Sequence, residues 1–162
     1  MGLHAGDVLR AARSVRAALP NAIIVATVAT NDTAAAVLAA GLGAGTGTEA
    51  GLGDIALVES FASWGGLARA PRYDQGAYYA WVRGVLQHFD LPDLVAAAEL
   101  LARPPRVLLV SPLDALRRRL SAAGASSLFA FASASGRVQI ALNASAPADV
   151  DRLLCQWLDT RA

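Results

Sequence analysis

One short apolar run, Val107 to Val110, restricts the possible folds of this chain more than any other feature. Two prolines, Pro104 and Pro105, stand shortly before it, and Ser111-Pro112 follows it directly. Because the run does not alternate with polar residues, it predicts a strand that is buried on both faces, as in a parallel sheet. Parallel strands need crossover connections, which are usually helices, so the pattern predicts an α/β protein.

Strand-like and helix-like segments alternate along the rest of the chain. Strands are predicted over residues 22–28, 55–58, 106–110 and 128–132, with a further short extended return at 137–142. Helices are predicted over residues 5–18, 33–40, 76–88, 90–102 and 112–122, with a last helix that starts at Ser145-Ala-Pro147. This order predicts one α/β domain with a parallel sheet of about four strands and helices on both faces.

Two of the helices have explicit sequence signatures. Asp90-Leu-Pro-Asp93 has the spacing of a capping box with proline in the first turn. The last helix has an apolar stripe at the i, i+3, i+4, i+7, i+8 spacing of a helix docked on a core. The stripe consists of Val150, Leu153, Leu154, Trp157 and Leu158.

Composition excludes several classes of function. The 162 residues are 55% hydrophobic and only 17% charged, and a net charge of +1 gives no reason to expect a nucleic-acid partner. The longest candidate membrane segment, residues 33–48, is interrupted by glycines, so no membrane span is predicted. With a single cysteine, Cys155, and no secretory signal, a reducing cytoplasm is expected. No metal-ligand spacing occurs, and the glycines of 41–53 lack the Lys-Ser/Thr of a phosphate loop, so neither metal nor cofactor is predicted.

Three stretches resemble the second half of an α/β-hydrolase. They are Gly84-Val-Leu-Gln-His-Phe-Asp-Leu-Pro-Asp-Leu94, Ala102-Arg-Pro-Pro-Arg-Val-Leu-Leu-Val110 and Pro112-Leu-Asp-Ala115. They are similar to acetyl xylan esterases and prolyl-oligopeptidase-like members of the dienelactone hydrolase group. Over residues 5–60 the resemblance depends on element order alone. It implies a single truncated α/β-hydrolase-like domain over residues 1–162.

The resemblance also implies positions for a catalytic triad. Strand 22–28 would precede the nucleophile, which would fall near Thr30, and the acid after strand 106–110 would be Asp114. The family pattern Gly-x-Ser-x-Gly is not present around Thr30, and no histidine follows His88 to act as the base. The candidate catalytic residues are therefore Asp114 and Thr30, in a triad whose base is missing.

Each candidate also has a purely structural interpretation. Ser111-Pro-Leu-Asp114 has capping-box spacing, so Asp114 could cap a helix, and Thr30 could cap the helix after it. The arginines at 117–119 could form a solvated helix face or a modest anion or partner patch. The aromatic residues within 61–81 could line a ligand cleft beside Glu59 and Asp114, or could pack within a loop.

Two functions remain open. One is a hydrolase-like enzyme that acts on a small carboxylic ester. The other is a pseudoenzyme, which is either a non-catalytic domain that binds a partner or ligand or a fragment of a longer hydrolase. Strand 22–28 would become an apolar edge strand, which is prone to association. We therefore expect that edge to be covered, in a homodimer or other homo-oligomer or by a partner chain.

Overall fold

The computed structural model describes residues 2–19, 26–30, 33–44, 53–74, 83–101, 104–132, 136–142, 144 and 146–160. The elements in chain order are α1 (Gly2–Ala18), β1 (Ala26–Thr30), α2 (Ala34–Ala44), β2 (Asp54–Val58), α3 (Trp64–Arg69), a short 3₁₀ helix (Val85–Gln87), α4 (Leu91–Ala98), β3 (Val107–Val110), α5 (Ala122–Leu128), β4 (Val138–Ala141) and α6 (Pro147–Asp159). Most of the predicted strands and helices are therefore present, which confirms the α/β class.

The four strands form one parallel sheet in the order β1-β2-β3-β4. Their register aligns the carboxyl ends, because Thr30 pairs with Val58, Val58 with Val110, and Val110 with Ala141. Side chains from β2 and β3 are buried on both faces, as the apolar run predicted. The loops that follow the central strands therefore leave the sheet along one common edge.

Helices cover both faces of the sheet. One face packs against α1, α2, α3 and α4, with Ile55, Leu57, Val107 and Leu109 pointing into this larger core. The other face, which includes Leu108 and Val110, packs against α6. The predicted stripe of α6 makes that contact through Val150, Leu153, Leu154, Trp157 and Leu158. Among the described residues, no helix is long and apolar enough to cross a membrane.

The amino ends of β2 and β3 are joined by one buried ion pair. Asp54 is fully buried and accepts hydrogen bonds from the Arg106 Nε at 2.9 Å and Nη2 at 2.7 Å. The same guanidinium lies 4.8 Å from the ring centroid of Trp157 and donates to the Thr160 hydroxyl at 2.8 Å. This group, which we call the Asp54–Arg106 clamp, holds two strands and α6 together at the end of the sheet opposite the aligned carboxyl ends.

The predictions for residues 112–132 were wrong in two places. Residues 112–121 form turns rather than a helix, because the Asp114 carboxylate accepts the backbone N–H groups of Leu116 and Arg118 and so competes with helical hydrogen bonding. Residues 128–132 form the end of α5 and a turn rather than a strand. The segment Leu128-Phe-Ala-Phe-Ala132 has no β-branched residue, and Ser121 caps α5 by accepting the Gly124 N–H at 3.1 Å.

The fourth strand is instead the return at 137–142, where Val138 and Ile140 are β-branched and face the larger core. The predicted strand at 22–28 is described only from residue 26, and residues 22–25 lie outside the described part. The predicted helix at 76–88 also lies mostly outside it, and its final residues form the 3₁₀ helix. Helix α2 extends into the glycine-rich segment as far as Ala44. At Gly41 a Cβ would stand 3.0 Å from the Ile55 side chain, so glycine allows the helix to pack closely on β2.

Candidate functional site

The residues that follow β2 and β3 form the candidate site. The residue directly after each strand has a left-handed backbone conformation, with φ 47° at Glu59 and φ 47° at Ser111. This conformation turns the chain sharply out of the sheet. Ser111 is buried, and its hydroxyl donates to the Ala144 carbonyl at 2.9 Å. Non-glycine residues in this conformation are often found where a fold presents functional loops.

The two loops remain paired beyond the strands. The Leu113 N–H donates to the Ser60 carbonyl at 2.9 Å, and the Ala62 N–H donates to the Leu113 carbonyl at 3.0 Å. Further along, the Asp74 N–H donates to the Ala115 carbonyl at 2.9 Å. These backbone hydrogen bonds fix the distance between the loop after β3 and the segment that carries α3.

A cleft of about 530 Å³ lies between these two segments. Its volume is in the range of small-molecule sites. The wall on the α3 side contains Ala62, Ser63, Gly66, Arg69, Ala70, Pro71 and Arg72. The opposite wall contains Leu113, Asp114, Ala115, Leu116, Arg118, Leu120 and Leu128. The lining is thus mostly apolar, with three arginines, one carboxylate and one serine hydroxyl as its side-chain polar groups.

Asp114 is engaged within its own turn. Its Oδ1 accepts the N–H of Leu116 at 2.8 Å and that of Arg118 at 2.9 Å, and its Oδ2 accepts the Arg118 Nε at 2.8 Å. Burial alone would raise the pKa of Asp114, but the Arg118 N–H and guanidinium and the Leu116 N–H together hold that pKa below its ordinary value. The carboxylate organises a turn rather than capping a helix, so the capping prediction was wrong in its geometry.

Thr30 does not line the cleft. It ends β1, two strands away from β3, and neighbouring strands lie about 4.8 Å apart. Its carbonyl accepts the Thr33 hydroxyl at 2.8 Å, at the start of α2. The structure thus does not bring Thr30 and Asp114 together in one pocket. His88 ends the 3₁₀ helix with an exposed side chain and does not line the cleft either.

The serine of the cleft, Ser63, caps α3. Its hydroxyl accepts the Gly66 N–H at 2.8 Å and donates to the Asp90 Oδ2 at 2.5 Å. Asp90 also accepts the N–H groups of Trp64 at 2.7 Å and Gly65 at 3.0 Å. A serine nucleophile needs a free base beside it, and the Asp90 carboxylate is already occupied by backbone N–H groups of α3 and by the Leu91 N–H. Ser63 therefore has the geometry of a cap.

In the arginine run at 117–119, Arg118 and Arg119 are exposed to solvent, and each of the three side chains also has an internal partner. The Arg117 guanidinium carbon lies 5.9 Å from the ring centroid of Phe61. Arg118 pairs with Asp114 at 2.7 Å, and Arg119 pairs with Glu59 at 3.0 Å. These contacts attach the loop after β3 to the end of β2.

The segment at 61–74 contributes to the cleft, but Phe61 and Trp64 pack in the core and do not line it, which agrees with the second of the two interpretations for the aromatic residues. Phe61 and Trp64 are buried in the core, and Trp64 lies 6.2 Å from Phe89, centroid to centroid. The residues at 75–82, which include the aromatic residues at 78, 79 and 81, lie outside the described part. Sequence reasoning emphasised the aromatic residues and missed Arg69 and Arg72. The signal was available, since both arginines flank Pro71 in a segment that follows the end of a buried strand.

The fold and the cleft define the class of protein: an α/β domain with a parallel sheet and a ligand-sized cleft beside the carboxyl ends of its central strands. No family model matches the chain, and comparison with the curated proteins and with the solved structures gave no match. Among the described residues, no group of three or more His, Cys, Asp or Glu side chains could hold a metal ion.

Proposed function

We propose that this chain is a cytoplasmic, α/β-hydrolase-like domain, related to carboxylic ester hydrolases, that has little or no esterase activity. The observation that carries the proposal is the environment of Asp114. A triad acid works by orienting a histidine and stabilising its charged form. Here the charged partner of Asp114 is Arg118, whose guanidinium group is only a hydrogen-bond donor and cannot act as a general base.

The remaining hydroxyls support the same proposal. Thr30 is separated from the cleft, and Ser63 is engaged on both its donor and acceptor sides. Activation of either hydroxyl would require a base that can accept its proton. The parallel four-strand sheet with flanking helices is compatible with hydrolase ancestry, although many unrelated proteins share such a sheet.

Hydrolysis of p-nitrophenyl acetate tests this proposal. We expect the wild-type chain, Asp114→Asn and Thr30→Ala all to release p-nitrophenol at the rate of the buffer alone. Ser63→Ala is added because Ser63 is the hydroxyl that lines the cleft. Wild-type turnover that any of these substitutions abolishes would contradict the proposal and assign a catalytic role to that residue.

A second proposal concerns association, and it is supported by the position of β1. Among the residues that the structure describes, this strand lies at the edge of the sheet, and Val28 is 51% exposed. An edge strand can pair with another chain through backbone hydrogen bonds. We infer that the domain forms a homodimer through the β1 edge, in which a second copy covers Val28.

A further inference from the structure

Three guanidinium groups line the cleft, and two of them are available to a ligand. Arg118 is paired with Asp114 at 2.7 Å. Arg69 and Arg72 line the same cleft, and neither has an ion-pair or hydrogen-bond partner among the described residues. The cleft therefore has two unpaired positive charges on the α3 side, opposite one neutralised pair.

Arg69 is held at the end of a fixed helix. The first turn of α3 is capped by Ser63 and by the Asp90 carboxylate. The Arg69 side chain folds back along this helix, with its Nη1 and Nη2 atoms 3.3 and 3.4 Å from the position that a Cβ at Gly65 would take. The glycine thus leaves room for the guanidinium beside the first turn. The Arg69 side chain is exposed, and the Asp90 Oδ2 lies 3.0 Å from the same Cβ position, so one carboxylate also stands near this guanidinium.

Arg72 lies on a segment that is tied to the opposite wall. Pro71 restricts the backbone just before it, and two residues later the Asp74 N–H donates to the Ala115 carbonyl. The opposite wall contains four leucines beside the Arg118–Asp114 pair: Leu113, Leu116, Leu120 and Leu128. A ligand that satisfies both regions has an anionic head and an apolar body.

We propose that the cleft binds a small organic acid, whose carboxylate is held by Arg69 and Arg72 and whose apolar body packs on the four leucines. Guanidinium groups form paired, charge-assisted hydrogen bonds with a planar carboxylate. An organic acid is favoured over inorganic phosphate because phosphate has no apolar body to pack on the leucines of the opposite wall. This binding needs no hydrolysis and does not depend on hydrolase ancestry.

Calorimetric titration of the full chain with sodium butanoate, hexanoate and octanoate tests the proposal. We expect affinity to rise with chain length, and 1-octanol, which lacks the charge, to bind at least about tenfold more weakly than octanoate. Arg69→Gln and Arg72→Gln should each weaken octanoate binding about tenfold. Leu116→Ala should lower the preference for octanoate over butanoate about threefold, since it removes apolar contact area.

Arg83→Gln is the matched control, because Arg83 is exposed and does not line the cleft. Its octanoate affinity should equal that of the wild type. Loss of affinity in Arg83→Gln equal to that in Arg69→Gln, equal binding of 1-octanol and octanoate, or no binding of any carboxylate would each overturn the proposal. Inorganic phosphate that binds as tightly as octanoate would overturn the assignment to an organic acid.

The binding and hydrolysis experiments have separable outcomes. Octanoate binding with background hydrolysis supports both proposals. Octanoate binding together with ester turnover contradicts only the lack of activity. Background hydrolysis without carboxylate binding contradicts only the assignment of the ligand.

Discussion

At the scale of single residues, the carboxylates of this domain mainly organise backbone. Asp114 fixes the turn after β3, Asp90 caps the start of α3, and Asp54 holds the Arg106 guanidinium. For Asp114, the hydrogen bonds that it accepts and the Arg118 guanidinium hold the pKa of the carboxyl below its ordinary value. The same contacts that make Asp114 useful in a turn make it a poor candidate for catalysis.

The lowered pKa of Asp114 links that turn to pH. Since the pKa is lower in the folded than in the unfolded state, the stabilisation is present above the unfolded pKa of about 3.9 and is lost as the pH falls through the folded pKa. We expect Asp114→Asn to unfold more easily than the wild type at pH 6, and the difference in the free energy of unfolding to shrink below about pH 4. Urea titrations of both proteins at pH values from 3 to 7 measure this difference in the free energy of unfolding.

Asp149→Asn on α6 controls for the loss of one carboxylate at a partly exposed position, where the ion pair with Arg152 is longer, at 3.6 Å. Asparagine at 114 keeps one oxygen that can accept the Leu116 and Arg118 N–H groups. A constant difference between the wild type and Asp114→Asn across the whole pH range would contradict the assigned pKa direction.

At the scale of elements, one side chain connects two helices. Asp90 is the N-cap of α4, where Asp93 completes the capping box, and it also accepts the first N–H groups of α3. The cap of α4 could be predicted from the sequence spacing. The second contact could not, because Ser63 and Trp64 lie 27 and 26 residues away along the chain.

We expect Asp90→Ala to lower the free energy of unfolding by about 2–3 kcal/mol, because the N-termini of both α3 and α4 lose their acceptor. Urea unfolding followed by circular dichroism measures this change. Asp93→Ala is the matched control, since it removes only the hydrogen bond from the Asp90 N–H, and it should cost about 0.5–1 kcal/mol. Equal losses in the two variants would contradict the double role of Asp90.

Elements specified by local sequence patterns could be predicted, whereas features that depend on contacts between distant residues could not. Local patterns, such as the apolar run at 107–110 and the stripe of α6, were sufficient to predict their elements. The prediction for 112–122 was wrong because a side chain competed with the helix for backbone N–H groups. The cleft depends on contacts between residues 62–72 and 113–128, which local patterns do not report. Asp114 was selected as a candidate because it closely follows a predicted strand, whereas Arg69 and Arg72 stand farther beyond the strand that precedes them.

At the scale of the whole molecule, the proposed association depends on the β1 edge of the sheet. The homodimer inferred above would pair β1 of one protomer with β1 of its partner and would bury Val28. In sedimentation velocity at high micromolar concentration, we expect the wild type to have twice the mass of the chain. Val28→Lys should be monomeric, because a charged side chain on an edge strand disfavours pairing.

Val15→Lys is the control for that substitution, since Val15 on α1 is exposed to a similar extent, 48% compared with 51% for Val28. It should remain dimeric. A monomeric wild type at high micromolar concentration would contradict the role of the β1 edge, and so would dissociation of both variants.

The Asp54–Arg106 clamp has a consequence for how this domain could change over time. It lies at the amino ends of β2 and β3, while the cleft lies beside their carboxyl ends, so substitutions in one need not disturb the other. Removing one member of a buried ion pair typically costs about 3–5 kcal/mol, whereas surface substitutions usually cost about 0.5 kcal/mol or less. The exposed residues of the cleft walls, which include Arg69, Arg72 and Leu116, can therefore accumulate mutations and change ligand preference while the opposite end preserves the architecture. This makes the domain a tolerant starting point for divergence or for laboratory redesign of the cleft.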